Sequence, residues 1–144
     1  MKKNYWIHLI VFCLLLSGTV NASNAITVSD GYIKASIPGS EVTAAYMTIN
    51  NSSNEVITLK RVTSTISDRV EIHEHSMADG MMRMREVGKI TIEANSSVVL
   101  QPSGLHLMFF SLTQPIIENN EIDLTLHFSN NTKIKIQLPV YKYK

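Results

Sequence analysis

From residue 26 onward the apolar positions of this chain recur in short alternating runs. Ile122, Leu124, Leu126 and Phe128 fall on one side of an extended segment, and Ile134, Ile136 and Leu138 on one side of another. That two-residue period is the mark of half-buried β-strands. Ten segments of this kind, rich in Val, Ile and Thr, are predicted at 26–36, 44–50, 56–65, 70–75, 82–87, 89–92, 97–100, 105–112, 122–128 and 133–139. Turn formers stand between them, among them Pro38-Gly39-Ser40, the run from Asn50 to Asn54, Asp79-Gly80, Pro102-Ser103-Gly104 and Asn130-Asn131. No window of helical length carries a 3.6-residue period. Many short, evenly spaced strands predict an antiparallel sandwich or barrel, and 144 residues suit a single domain.

The first residues do not share this pattern. Lys2 and Lys3 precede an apolar run from Ile7 to Leu16, and small residues follow in Val20-Asn21-Ala22 and Ser23-Asn24-Ala25. This order predicts a signal peptide over residues 1–22, with cleavage after Ala22 or Ala25, and one domain over 23–144. The run is short for a bilayer span, which takes roughly 20 apolar residues. Cys13 lies inside the run, which argues against a lipoprotein. Cleavage removes this single cysteine, and with it any disulfide or thiolate ligand in an oxidising compartment. It also takes Lys and Arg from 13 to 11 against 12 acidic residues, a net charge of about −1. Such a balance, without a basic face, gives no support to nucleic-acid binding or to stable membrane insertion after cleavage. The expected location is the periplasm.

The chemistry-bearing residues are unevenly placed. Apart from the initiator, five of six methionines lie near a histidine in sequence. One cluster runs His73-Glu74-His75-Ser76-Met77 and, across Asp79-Gly80, Met81-Met82-Arg83-Met84; the other is His106-Leu107-Met108. In a strand, residues two apart share a face, so His106 and Met108 project together. Asp79-Gly80 between two strand-like runs predicts a hairpin that brings His73 and Met84 to the same end of the sheet. Thioethers are soft ligands that suit Cu(I), whereas zinc sites draw on Cys, His, Asp and Glu. Methionine is equally a flexible core filler, so composition alone leaves packing and metal binding open. Met47 and His127 have no partner nearby in sequence and read as packing. Met81, out of phase with Met82 and Met84, reads as core. Glu71, Arg83 and Arg85 read as solvated or paired charges. No nucleophile elbow, phosphate-cradling glycine loop or carboxylate pair occurs, so an enzyme is not expected.

The full spacing is His73, ten residues, Met84, twenty-one residues, His106, one residue, Met108. It resembles the H-x10-M-x21-H-x-M signature of the PCuAC family of periplasmic copper(I) chaperones. Ala44-Ala45-Tyr46-Met47, Val70-Glu71-Ile72-His73-Glu74, Met82-Arg83-Met84-Arg85 and Gly104-Leu105-His106-Leu107-Met108 resemble it too, and the resemblance spans about residues 26–140. It implies an all-β, cupredoxin-like or immunoglobulin-like Greek-key β-sandwich. It implies a Cu(I) site at His73, Met84, His106 and Met108; His75 and Met82 are candidate additional ligands. The implied partners are cytochrome c oxidase subunit II, at its CuA centre, and a Sco-type protein. His75 stands where many relatives carry Met, and this chain ends Tyr141-Lys142-Tyr143-Lys144, without the Met/His-rich tail of some relatives. A copper-sequestering tolerance protein is the alternative with the same site, and a metal-free β-sandwich interaction module the alternative without one.

Overall fold

A computed structural model describes residues 25–142; the expected signal peptide falls outside the described residues. Ten strands follow in order: β1 (Ile26–Lys34), β2 (Thr43–Asn51), β3 (Ile57–Ser64), β4 (Arg69–Ala78), β5 (Met81–Glu86), β6 (Ile90–Ile92), β7 (Ser96–Leu100), β8 (Leu105–Phe110), β9 (Glu121–Phe128) and β10 (Lys133–Tyr141). Each lies where alternation predicts one. The described residues contain no helix long and apolar enough to cross a membrane.

The hydrogen-bonded order is β5-β4-β8-β2-β1-β10-β9-β3-β6, with β7 alongside β2. One layer holds β5, β4, β8, β2 and β1, and β7 and β8 lie end to end along β2, at Asn51–Met47 and Ala45–Thr43 respectively. The second layer holds β10, β9, β3 and β6. Buried side chains from both layers, among them Ile33, Ile49, Leu107 and Phe109 from the first and Leu59, Ile92, Leu124 and Leu126 from the second, form one core. The chain is a β-sandwich, but the prediction of an antiparallel fold needs one correction. β1 and β10 pair in parallel, Ile33 opposite Val140 and Lys34 opposite Tyr141, and this pair joins the layers. Pro139, which has no N–H to donate, is the last β10 residue in register with β9, at the hand-over from β9 to β1.

The alternation is also broken within β1, at Asp30-Gly31, where the two-residue period alone predicts an unbroken strand. The β1–β2 register shifts between Ser29 and Tyr32, with Asp30 at a φ of 54°. A β-bulge there adds one residue and flips the side-chain phase. Ile26 faces the core before it and Ile33 after it. Tyr32 and Lys34 are thereby turned to the outer face of the first layer.

The β4–β5 hairpin closes on Asp79 and Gly80, at φ values of 53° and 74°. Two successive left-handed residues make the type I′ turn that matches strand twist, and Asp-Gly is among its preferred pairs. A Cβ at Gly80 would meet nothing within 4 Å, so the cost of Gly80→Ala is conformational alone. It is expected to lower stability by about 1 kcal/mol. The check is a lower urea midpoint at unchanged denaturant slope.

Candidate metal centre

The centre is built on the outer face of the first layer. Along β8, Leu107 and Phe109 are fully buried in the core, so His106, Met108 and Phe110 point the other way. On β4, Ile72 faces the core, which sends Glu71, His73 and His75 outward with them. Register then fixes the neighbours. His73 lies opposite His106, and Glu71 opposite Met108. On the other side of β4, His75 lies opposite Met84 and Met77 opposite Met82. Ala44 of β2 is level with Met108, and the Tyr46 ring lies 6.3 Å from that of His106. His106 is thus only 3% exposed although it points away from the core. The rings of His75 and His73 cover it at 5.0 and 5.9 Å.

The polar contacts decide which nitrogens are free. The His106 Nδ1–H donates to the Gly104 carbonyl at 3.0 Å, which leaves Nε2 to carry the lone pair. His73 donates from Nε2 to Glu71 Oε2 at 2.7 Å. Glu71 is in turn held by Arg69, whose Nε and Nη2 reach Oε1 at 2.6 Å. The Arg69 guanidinium rests 4.5 Å over the Phe110 ring. The hydrogen bond from His73 holds the Glu71 carboxyl below the usual carboxylate range; Arg69 adds to this and burial opposes it. Burial pushes His106 below the ordinary histidine value, against the opposing effect of its bond to Gly104.

Two buried nitrogens, His73 Nδ1 and His75 Nδ1, have no hydrogen-bond partner. An unsatisfied buried polar atom costs about 1–3 kcal/mol, so two on one face call for a function. A metal ion beside His73 would take the lone pair of its Nδ1; His75 lies outside the four expected ligands, and its Nδ1 stays unaccounted for by that ion. Among the described residues no three His, Cys, Asp or Glu side chains are placed to hold an ion by themselves. Met84 and Met108 are carried on the same face, and thioether sulfur is the donor chemistry of a soft ion. The residues fit Cu(I) on these grounds.

All four expected ligands share this face, spread over three adjacent strands. His73 and His106 are directly opposed. Met84 and Met108 sit one rung away on either side, each diagonal to His73, within reach of long side chains. The hairpin is as expected, but its register sets Met84 opposite His75 and leaves His73 opposite Glu86. Met81 is a correction: it is 57% exposed, not core. β5 is an edge strand beyond the last core residue of β4, and both its faces are exposed. Met47 is buried core, and His127 bonds Thr63 Oγ1 at 3.0 Å, as packing predicts. Glu71 is a paired charge, as expected, but its partner is a candidate ligand, and sequence reasoning missed this. Glu71 and His73 are two apart on a strand, a spacing that could have signalled it. Met77 was legible too, since a two-residue turn at 79–80 necessarily pairs 77 with 82.

A carboxylate that grips one imidazole nitrogen fixes the ring and raises the basicity of the other nitrogen. Glu71→Gln is expected to weaken metal binding by about 10–100-fold with little change in fold. Competitive titration beside circular dichroism checks both parts.

An all-β sandwich with imidazoles and thioethers collected on one outer face has the form of a soft-metal-binding domain. The comparisons narrow this. The chain belongs to the LpqE-like family, described as "Putative lipoprotein LpqE-like", whose pattern matches residues 26–140. It is 29% identical over 119 residues to "Putative lipoprotein Lxx21020" of Leifsonia xyli subsp. xyli (strain CTCB07), across 82% of this chain and 70% of that one. Among solved structures, the copper-bound PCuAC domain from PmoF2 superposes with a TM-score of 0.72 at 20% identity, over 85% of this chain and 97% of that domain. The solution structure of CuI-DR1885 from Deinococcus radiodurans gives 0.68 at 25% identity, over 84% and 80%. The resemblance to PCuAC domains read from the spacing is borne out, and so is the cupredoxin-like β fold that it implied.

Proposed function

We propose that the protein is an exported Cu(I) chaperone that holds the ion through His73, Met84, His106 and Met108. The observation that carries this reading is the outer face itself. The rings of His73 and His75 lie 5.9 and 5.0 Å from that of His106, Met84 and Met108 stand at neighbouring register positions, and the buried Nδ1 of His73 lacks a hydrogen-bond partner. Two structural relatives support it, since each is described as copper-bound or CuI-loaded. Export agrees with the leader-like residues 1–22 and with a family described as lipoprotein, and the compartment proposed is the periplasm.

The residues divide the work simply. Neutral imidazoles and thioethers offer lone pairs without carrying charge, so a monovalent ion is held without being locked in. The half-exposed Met84 leaves one side open to an incoming partner ligand. The proposed acceptor is the CuA centre of cytochrome c oxidase subunit II, with a Sco-type protein as a second partner. Deletion of the gene is expected to lower oxidase activity, restored by added copper. Copper sensitivity with normal oxidase would assign sequestration in place of delivery.

Protons compete with copper for the imidazoles. Burial holds His106 below the ordinary histidine value, so its lone pair is available at neutral pH. A lowered value also means that His106 starts to compete only at a pH below that of an unburied histidine, near 6.5. Cu(I) affinity is expected to be level above about pH 7 and to fall as pH drops below the histidine range. The fall is about tenfold per pH unit for each proton displaced. Competitive titrations at about pH 7.5 and 5.5 check the sign.

A further inference from the structure

We propose that the β4–β5 hairpin holds a second Cu(I) position, formed by His75, Met77 and Met82 with Met84 shared between the two positions. This rests on the Cu(I) reading of the first site and extends it to residues outside the four-ligand set.

The geometry follows from the turn. Ala78 and Met81 flank the two-residue turn and form its hydrogen-bonded pair. Antiparallel pairs alternate, so Met77 with Met82 and His75 with Met84 are non-hydrogen-bonded pairs, the kind whose side chains approach most closely. The two pairs are neighbouring rungs on the same face. Three thioethers and one imidazole therefore form the corners of a small quadrilateral.

Three observations argue against packing as its reason. Met77, Met82 and Met84 are 68%, 62% and 49% exposed, whereas Met47, which does fill the core, is 1% exposed. No core residue lies under the hairpin, since Ile72 is the last buried position of β4. The third is the buried Nδ1 of His75, which has no hydrogen-bond partner. Glu74, Arg83 and Arg85 keep to the other face of the hairpin, where Arg85 pairs with Glu74 at 2.8 Å. At the two rungs that carry these four residues the methionine face holds no charge; Glu86 lies on that face at the His73 rung and Glu71 one rung beyond it. Uncharged thioethers with a single imidazole select Cu(I) over zinc, which recruits Cys, His and carboxylates. The ring of His75 lies 5.0 Å from that of His106, so the hairpin position adjoins the first site. Copper can pass between them by exchange of Met84 and without leaving the sheet face.

The test is anaerobic Cu(I) titration of residues 23–144, which hold every described strand, read by native mass spectrometry and by methionine methyl NMR. Wild type is expected to take up two Cu(I), the second more weakly, with the Met77 and Met82 methyls moving at the second equivalent. Met77→Leu/Met82→Leu keeps the apolar volume and is expected to bind one, with first-step affinity within about twofold of wild type. The Met47 methyl, buried in the core, reports that the fold is intact. Uptake of one Cu(I) by wild type, or of two by the variant, would overturn the second position and leave the first standing. Uptake of none by wild type would overturn both.

Discussion

His106→Ala/Met108→Ala is expected to bind Cu(I) more than about 100-fold more weakly than wild type, because loss of an outer partner alone costs 10–100-fold and here two ligands are lost. The pair is chosen for its geometry. Both side chains leave β8 on the outer face, and His106 is overlain by the rings of His73 and His75. Removing it takes away the one ring that both other imidazoles contact. The variant also loses the hydrogen bond to Gly104, at a cost of about 1–2 kcal/mol. That is small against the roughly 5–15 kcal/mol of a typical domain, so the variant remains folded and its loss of copper is a statement about the site. If Cu(I) affinity were unchanged while stability fell, His106 and Met108 would be packing residues, and a metal-free interaction module would become the better account.

Phe109→Ala is expected to be the most destabilising simple substitution on the same strand, at about 3–5 kcal/mol. Phe109 is fully buried and stands one residue from Met108, on the opposite face of β8. Its loss opens a cavity beneath the sheet that carries the centre. Thermal unfolding is expected to show a fall of more than 10 °C, taking about 4 °C for each kcal/mol, where the ranges for smaller and larger domains meet. At a temperature where the variant is still folded, Cu(I) affinity is expected to stay near that of wild type. The two variants therefore separate core from site along a single strand.

Much of this architecture was legible in the sequence because the strands obey a two-residue period and the turns are chemically marked. All ten strands lie where alternation and turn formers place them, and Asp79-Gly80 announces its hairpin. What the period could not show is where it breaks. The bulge is marked by Asp30-Gly31, a glycine inside a strand, a signal that a reading by period alone passes over, and it decides that Tyr32 and Lys34 share a face with His106. The parallel pairing of β1 with β10 is a long-range event that local pattern does not encode. Met81 was misplaced because alternation tells which residues share a face but not whether that face is covered. β5 lies at the edge of the sheet, so neither of its faces is. The His73/Met84/His106/Met108 spacing found the outer face, and the register corrected its detail by setting Met84 beside His75. The two-residue rule puts Glu71 and His73 on one face, but that the carboxylate grips Nε2 needed side-chain positions.

The central claim is that one soft ion is bound by both imidazole and thioether on the outer face of the first sheet. Copper K-edge X-ray absorption on residues 23–144 loaded with one equivalent of Cu(I) tests it most directly. The account predicts a first coordination shell containing both nitrogen and sulfur. With no cysteine in those residues, the sulfur can come only from methionine. A shell of nitrogen and oxygen alone, or copper lost on desalting, would contradict it.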